Sequence, residues 1–151
     1  LFKFIGFGKK PNQILNTLTF KAYNKNYKLE NEWLSKNPNN ISVYNDDELC
    51  GFTFTTNGFI NLYKLLKRAF NAKLYKVQNK NLEIFLIAGD NDPVIQNTKK
   101  FKQLEQFLNK LGYKNTKSKL YPDLRHEILN EEEYNQIYKD ILDFFINNKE
   151  K

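Results

Sequence analysis

Residues 84–93 read IFLIAGDNDP, a short apolar run followed by a turn. The first five residues of this stretch are all apolar, so neither side of the segment is polar, which is typical of a strand buried on both faces of a parallel sheet. The turn that follows is bounded by glycine and proline and holds two carboxylates, Asp90 and Asp92. The stretch therefore predicts a core strand with acidic side chains just beyond its carboxyl end.

A helix, a second strand and a last helix are predicted downstream. Asn97 or Thr98 can cap the first helix, and Gly112 stands where its C-terminal cap belongs. Residues 116–121 indicate an edge strand and residues 122–126 a loop. Asn130 with Glu133 resembles a capping box for the last helix. The buried faces are expected to comprise Phe101, Leu104, Leu108 and Leu111 in the first helix, and Tyr134, Ile137, Tyr138, Ile141, Leu142 and Phe145 in the last.

This order of elements is one βαβ unit with a closing helix, an α/β arrangement. Two parallel strands cannot bury both their faces alone, so more sheet is expected beside them, from another part of the protein or from a partner. Residues up to about 81 are predicted to be irregular and helical. They include a helix over 12–20, a breaker at 38–40 and an amphipathic helix over 57–70.

Composition excludes several classes of protein. The chain has 151 residues, of which 40% are hydrophobic, which suits one domain with a packed core. A single Cys and a single His exclude an internal disulfide and a multi-histidine metal site, and no apolar run is long enough to span a bilayer. The net charge of +7 comes mainly from scattered lysines, which favours biased composition over specific nucleic-acid binding. The absence of Met indicates a fragment.

Two loops are expected to form a site. Sites in open α/β sheets lie beyond the carboxyl ends of the strands, and neighbouring parallel strands bring their loops together. Asp92 after one strand and His126 after the next can therefore meet, although each alone is better explained as part of a turn or a solvated loop. A carboxylate bonded to an imidazole orients it as a general base. Asp90 lies nearer the strand and is expected to support the turn.

Two segments resemble the α/β-hydrolase superfamily, in its lysophospholipase and monoacylglycerol-lipase-like branch, also described as serine aminopeptidase-like. Residues 84–94, IFLIAGDNDPV, resemble its acid-bearing strand and turn, and residues 120–131, LYPDLRHEILNE, its histidine loop. Residues 18–24 and 47–52 are similar to the cap region. The resemblance implies a helical cap over 1–80 and, over 81–151, the C-terminal βαβα part of the hydrolase core. It also implies Asp92 as the triad acid and His126 as the base.

The nucleophile of this family is absent from the chain. No G-x-S-x-G elbow occurs, and Ser35, Ser42 and Ser118 lack its glycines. The nucleophile and the oxyanion loop are expected in a missing N-terminal half of the core. Cys50 falls in the cap-like region, where a pocket-lining role is expected rather than a nucleophilic one. Phe52, Phe54, Phe59, Ile60 and Leu62 are candidates to line a tunnel for an acyl chain.

The resemblance implies a serine hydrolase of lipid-like carboxylic esters, with no cofactor and no metal. Its expected partners are the ester substrate, the N-terminal half of the core and a peripheral membrane surface. A cytoplasmic location is expected because residues 1–5 do not form a signal peptide. Two alternatives stay open: a non-catalytic hydrolase remnant that binds a partner or nothing, and a basic surface binder unrelated to hydrolysis.

Overall fold

The computed structural model describes residues 7–148, so the expectation about residues 1–5 lies outside the described part. Three helices come first: α1 (Gln13–Phe20), α2 (Pro38–Asp46) and α3 (Thr56–Ala69). Strand β1 (Glu83–Gly89), helix α4 (Thr98–Leu111), strand β2 (Asn115–Tyr121) and helix α5 (Tyr134–Asn147) follow. The chain is therefore helical before residue 81 and has a βαβα order after it, as its sequence predicts.

The sheet that the described residues form has two parallel strands. β1 pairs with β2 in a register that sets Glu83 opposite Asn115 and Gly89 opposite Tyr121. Both strands thus end at the same edge, and the loops that follow them leave side by side. The residues of β1 from Glu83 to Ile87 are half-buried, and only its last two are fully buried.

Asparagine caps organise much of the chain. The side chains of Asn12, Asn37 and Asn97 accept hydrogen bonds from backbone N–H groups in the first turns of α1, α2 and α4. These bonds satisfy donors that have no partner inside a helix. Gly112 adopts a left-handed conformation, φ 111°, where α4 ends, as predicted. The Asn-rich composition therefore supplies helix starts.

Two local predictions were wrong. Residues 38–40 do not break a helix, because Pro38 is the first residue of α2, where its missing N–H costs nothing. Asn130 and Glu133 do not form a capping box: Asn130 donates its amide N–H to Glu127, and α5 begins after Glu133 without a side-chain cap.

The core beneath the histidine loop is small. It contains Tyr121, Leu124, Ile128 and Ile137, with Ile87 and Ile141 packed against it. A second, aromatic group joins the helical part, where Phe59 is fully buried and its ring lies 5.5 Å from that of Phe54.

The predicted buried face of α5 is only partly buried. Ile137 is inaccessible to solvent, whereas Tyr134, Tyr138, Leu142 and Phe145 are exposed. The apolar stripe of the helix predicted over 57–70 is also only partly buried, with Leu65, Leu66 and Phe70 exposed. Helical periodicity identified an apolar stripe correctly in each case, but it did not determine how much of that stripe this chain covers.

Candidate active site

Asp92 is held rigidly just beyond β1. Its carboxylate is 6% exposed, and Oδ1 accepts a hydrogen bond of 2.8 Å from the backbone N–H of Val94. Pro93 opens the short 3₁₀ turn Pro93–Ile95 that Asp92 caps, and its ring fixes the backbone at this point. One carboxylate oxygen is thus occupied by the turn, and the other, Oδ2, points to the histidine loop.

His126 meets that second oxygen. The distance from His126 Nδ1 to Asp92 Oδ2 is 2.9 Å. An ionised carboxylate only accepts hydrogen bonds, so Nδ1 carries the proton and donates it to the bond. The opposite nitrogen, Nε2, then has a free lone pair in the neutral ring. The side chain of His126 is 41% exposed, which leaves the ring accessible from one side.

The same contact changes the proton affinity of the imidazole. The hydrogen bond that Nδ1 donates to Asp92 is the largest influence and raises the pKa of His126 above its ordinary value. Partial burial acts in the opposite direction, whereas the negative charges of Asp92 and Glu127 add to the increase in pKa. The site therefore stabilises the imidazolium form.

Asp90 binds the backbone of the histidine loop and not the imidazole. Its Oδ1 accepts a 2.8 Å hydrogen bond from the backbone N–H of Asp123, a residue with φ of 60° at the start of the histidine loop. Backbone bonds from Asp90 to Tyr121 and from Asn91 to Leu124 join the two loops further. Asp90 thus supports the turn, as its place in the sequence predicted, and Asp92 alone contacts the imidazole.

Gly89 allows the two loops to approach this closely. A Cβ atom placed on Gly89 would lie 2.1 Å from the carbonyl oxygen of Leu124 and 2.4 Å from that of Arg125. No side chain fits such a gap, because van der Waals contact requires more than 3 Å. The glycine that ends β1 is therefore a condition for the contact between Asp92 and His126.

A cavity of about 830 Å³ opens beside His126. Its wall combines apolar rings, among them Phe20, Trp33 and Phe54, with amide side chains, and its size is typical of small-ligand pockets. Of the five residues predicted to line a tunnel, Phe52 and Phe54 are in this wall, whereas Phe59 is buried in the core. Ile60 and Leu62 are not among its lining residues; both belong to α3.

Cys50 also lines the cavity, as expected. Desolvation and the neighbouring carboxylate of Asp47 raise the pKa of its thiol. A raised pKa opposes formation of the thiolate, which is the nucleophilic form. The electrostatics at Cys50 are therefore the reverse of those at an activated cysteine.

The sequence placed Arg125 in the histidine loop, but it predicted neither the contacts of Arg125 nor those of Trp33 at the site. The ring of Trp33 lies 5.2 Å from the imidazole of His126, centroid to centroid. Arg125 reaches back to the carbonyl oxygens of Glu32 and Ser35. The only available signals were the single tryptophan of the chain and an arginine directly before its single histidine. Within residues 7–148 no group of His, Cys, Asp and Glu gathers as metal ligands, and no helix has the length and apolarity required to cross a bilayer.

A parallel βαβ unit with polar side chains beyond adjacent strand ends is typical of open α/β sheets, the class to which α/β hydrolases belong. The family model for serine aminopeptidase, S33, matches residues 5–133, and the chain belongs to this family. No curated protein sequence matches significantly.

Solved structures agree on the fold. A carboxyl esterase from Bacillus coagulans matches with a TM-score of 0.82 and 22% identity, over 97% of this chain and 48% of that one. A lipase in its open form matches with a TM-score of 0.77 and 22% identity, over 91% and 46%. A monoacylglycerol lipase from Paleococcus ferrophilus matches with a TM-score of 0.59 and 17% identity, over 92% and 53%. The chain thus spans about half the length of these enzymes.

Proposed function

We propose that this chain supplies the acid and the general base of a serine hydrolase that cleaves carboxylic esters of the lysophospholipid or monoacylglycerol type. Asp92 is the acid and His126 the base. The observation that carries the proposal is the 2.9 Å hydrogen bond between them at the ends of two adjacent parallel strands. Membership of the serine aminopeptidase family supports the hydrolase class.

The chemistry is acyl transfer. Nε2 of His126 accepts the proton of a serine hydroxyl as its oxygen forms a bond to the ester carbonyl carbon. The imidazolium then gives that proton to the alcohol oxygen as the ester C–O bond breaks, which leaves an acyl-serine. Water, deprotonated by the same imidazole, attacks the acyl carbon, and the serine leaves with the proton. Asp92 keeps Nδ1 protonated and stabilises the imidazolium in each half-reaction.

In this proposal, residues 1–80 form the cap and residues 81–151 the C-terminal part of the catalytic core. The cavity beside His126 lies between both parts, since Phe20 and Phe54 come from the first and Glu127 from the second. Its mixed lining suits an ester with an acyl chain and a polar alcohol group. The exposed apolar faces of α3 and α5 are then covered by the rest of the core or by a membrane surface.

The serine and the oxyanion donors are proposed to come from sequence upstream of Leu1. The chain contains no G-x-S-x-G, and it spans about half of the similar enzymes. In α/β hydrolases the serine precedes the acid and the histidine in chain order. The N-terminal half of the hydrolase core is therefore the partner that completes the site.

Reading the gene upstream of Leu1 and expressing the whole reading frame tests this proposal. We expect a G-x-S-x-G elbow, labelling of its serine by a fluorophosphonate, and hydrolysis of p-nitrophenyl esters and monoacylglycerols. His126→Ala should lower kcat roughly 10²–10⁴-fold, the contribution of general acid–base catalysis. Asp90→Asn, a carboxylate change two residues from the acid, is the matched control and should retain most activity.

The opposite result supports the non-catalytic alternative. An upstream sequence without the elbow, or a complete protein that neither labels nor turns over esters, would mean that the chain is a hydrolase remnant. Retained turnover in His126→Ala would exclude that residue as the base.

A further inference from the structure

Residues 32–36 pack against the histidine loop although they come from the helical part of the chain. The backbone N–H of Glu127 donates a 2.8 Å hydrogen bond to the carbonyl oxygen of Leu34. The guanidinium of Arg125 donates through Nη1 to the carbonyl oxygens of Glu32, at 2.5 Å, and Ser35, at 2.8 Å. The residues on both sides of His126 therefore hold the same short segment.

Glu131 accepts hydrogen bonds from the C-terminal end of residues 32–36. Its carboxylate is only 1% exposed, and it accepts a 2.9 Å hydrogen bond from Ser35 Oγ and a 3.0 Å bond from the backbone N–H of Lys36. A buried carboxylate without donors is costly. Movement of residues 32–36 would remove these donors, so the segment is held firmly.

Trp33 lies inside the segment that Arg125 and Glu131 hold. Its ring is 5.2 Å from the imidazole of His126 at an interplanar angle of 42°, and the ring of Tyr23 packs on it at 5.1 Å. Asp92 binds the Nδ1 side of the same imidazole. The imidazole is thus restrained by a hydrogen bond at Nδ1 and by a tilted contact with an aromatic ring.

We propose that Trp33 is a positioning residue for His126. It is kept against the imidazole by the hydrogen bonds that Arg125 and Glu131 form with residues 32–36. The inference rests on the proposed function, in which the orientation of His126 matters for proton transfer. Loss of the ring contact would remove one of the two restraints described above from a side chain that is 41% exposed, so the imidazole is expected to rotate more freely about its bond to Asp92. Trp33 also lines the cavity, so a bound ligand that contacts its ring acts on the orientation of the base.

The chain offers a direct optical test, because Trp33 is its only tryptophan and His126 its only histidine. A protonated imidazole in contact with an indole ring quenches indole fluorescence, and the contact itself is favourable to the cation. The charged groups that face this imidazole are Asp92 and Glu127. We expect the emission of the chain to rise with pH along one titration curve, with the midpoint that NMR measures for the imidazole.

His126→Gln is the control for this titration and should abolish the step in fluorescence. Emission that stays flat across the NMR midpoint in the unsubstituted chain would overturn the contact and with it the proposal. The measurement requires no turnover, so a chain without any esterase activity can still support or contradict it. Failure of the proposed function and failure of this inference are therefore distinguishable.

A second experiment tests positioning. In the unsubstituted chain, the proton on Nδ1 should give a downfield NMR signal protected by the bond to Asp92. Trp33→Leu should broaden this signal beyond detection while the amide signals of β1 and β2 stay dispersed, and Trp33→Phe, which keeps a ring, should partly restore it. Phe70→Leu, which changes an exposed aromatic residue directly after α3, is the matched control and should leave the signal sharp.

Arg125→Lys tests whether the hydrogen bonds of Arg125 hold residues 32–36 in place, and it leaves Trp33 unchanged. Nη1 of Arg125 donates to both carbonyl oxygens while Nη2 contacts the Glu32 carboxylate at 3.4 Å. The single nitrogen of an ammonium cannot make both sets of contacts, so the segment should loosen and the Nδ1 signal should broaden as in Trp33→Leu. If Trp33→Leu fails to fold, Arg125→Lys and the optical titration still test whether Trp33 positions His126. An Nδ1 signal as sharp as that of the unsubstituted chain, in Arg125→Lys or in a folded Trp33→Leu, would overturn the proposal.

Discussion

Asp92 and His126 are 34 positions apart, and their side chains meet at 2.9 Å beyond the ends of β1 and β2. The parallel register of the two strands brings the loops to one edge, and Gly89 lets the backbones approach. Asp92 is fixed by its own bond to the N–H of Val94, so His126 is the more exposed and more adjustable member of the pair. The contact between Asp92 and His126 therefore depends on the strand register, on Gly89 and on the turn at Val94.

Asp92→Asn should lower the pKa of His126 to its ordinary value or below it. The carboxylate is the main cause of the raised pKa, and the burial that remains acts to lower it. NMR titration of the single imidazole measures the change directly. In the Asp90→Asn control, whose side chain contacts Asp123 instead, the pKa should stay raised. Equal pKa values in the Asp92→Asn variant and the unsubstituted chain would contradict the assigned cause.

The contribution of His126 to folding stability should depend on pH. Because its pKa is raised in the folded chain, the folded state binds the proton more tightly than the unfolded state. The stabilisation is complete below about pH 6.5, the unfolded pKa, and is lost as pH rises through the folded pKa. Urea unfolding should therefore show a difference between the unsubstituted chain and His126→Gln that shrinks with rising pH. A difference that grows over this window would have the wrong sign.

Gly89→Ala should destabilise the chain by at least about 2 kcal/mol, because its new methyl group would meet two carbonyl oxygens of the histidine loop. The bond between Asp92 and His126 should weaken with it, so the pKa of His126 should fall. Gly58→Ala is a suitable control, since the nearest atoms to its Cβ are side-chain atoms of Phe54 and Thr55, at 3.3 Å and beyond. Denaturant midpoints of the two variants give the comparison, and similar midpoints would contradict the close approach.

Glu131→Gln should cost about 1–3 kcal/mol of folding stability. An amide in place of the buried carboxylate keeps one acceptor oxygen but turns an N–H₂ group toward the donors of Ser35 and Lys36. The adjacent Glu132 is exposed, and Glu132→Gln should change stability by less than about 0.5 kcal/mol. Chemical denaturation of both variants at neutral pH provides the measurement. A neutral effect at position 131 would mean that the carboxylate does not hold residues 32–36.

Cys50 should react slowly with iodoacetamide at neutral pH. Its thiol pKa is raised by desolvation and by Asp47, so the thiolate is scarcer than in a free thiol of pKa about 8.5. The alkylation rate as a function of pH should reach half its maximum above that value, and Asp47→Asn should shift the midpoint downward. Faster alkylation than that of a small reference thiol would restore Cys50 as a candidate nucleophile.

Local sequence patterns were sufficient for the elements that carry the site. The apolar run at 84–88 identified β1, the spacing of apolar residues located α4 and α5, and Gly112 marked the end of α4. They failed at residues 38–40, where Pro38 begins a helix, and at Asn130, where a 3₁₀ turn precedes α5. Proline and asparagine occur at the starts of helices as well as in breaks, so their presence alone does not distinguish the two outcomes.

By itself the sequence determined the βαβα order and the two loops. The signals used, which are apolar runs, helical spacing and caps, depend on residues that are close together in the chain. It also favoured Asp92 over Asp90 as the acid that faces the histidine, because Asp90 lies nearer the strand end and Pro93 fixes the backbone just after Asp92. Only the tertiary structure decided that residues 32–36 bind the histidine loop and that the ring of Trp33 lies beside the imidazole. Those contacts join segments 90 or more residues apart, and their formation depends on how whole elements pack, which leaves no local pattern in the sequence.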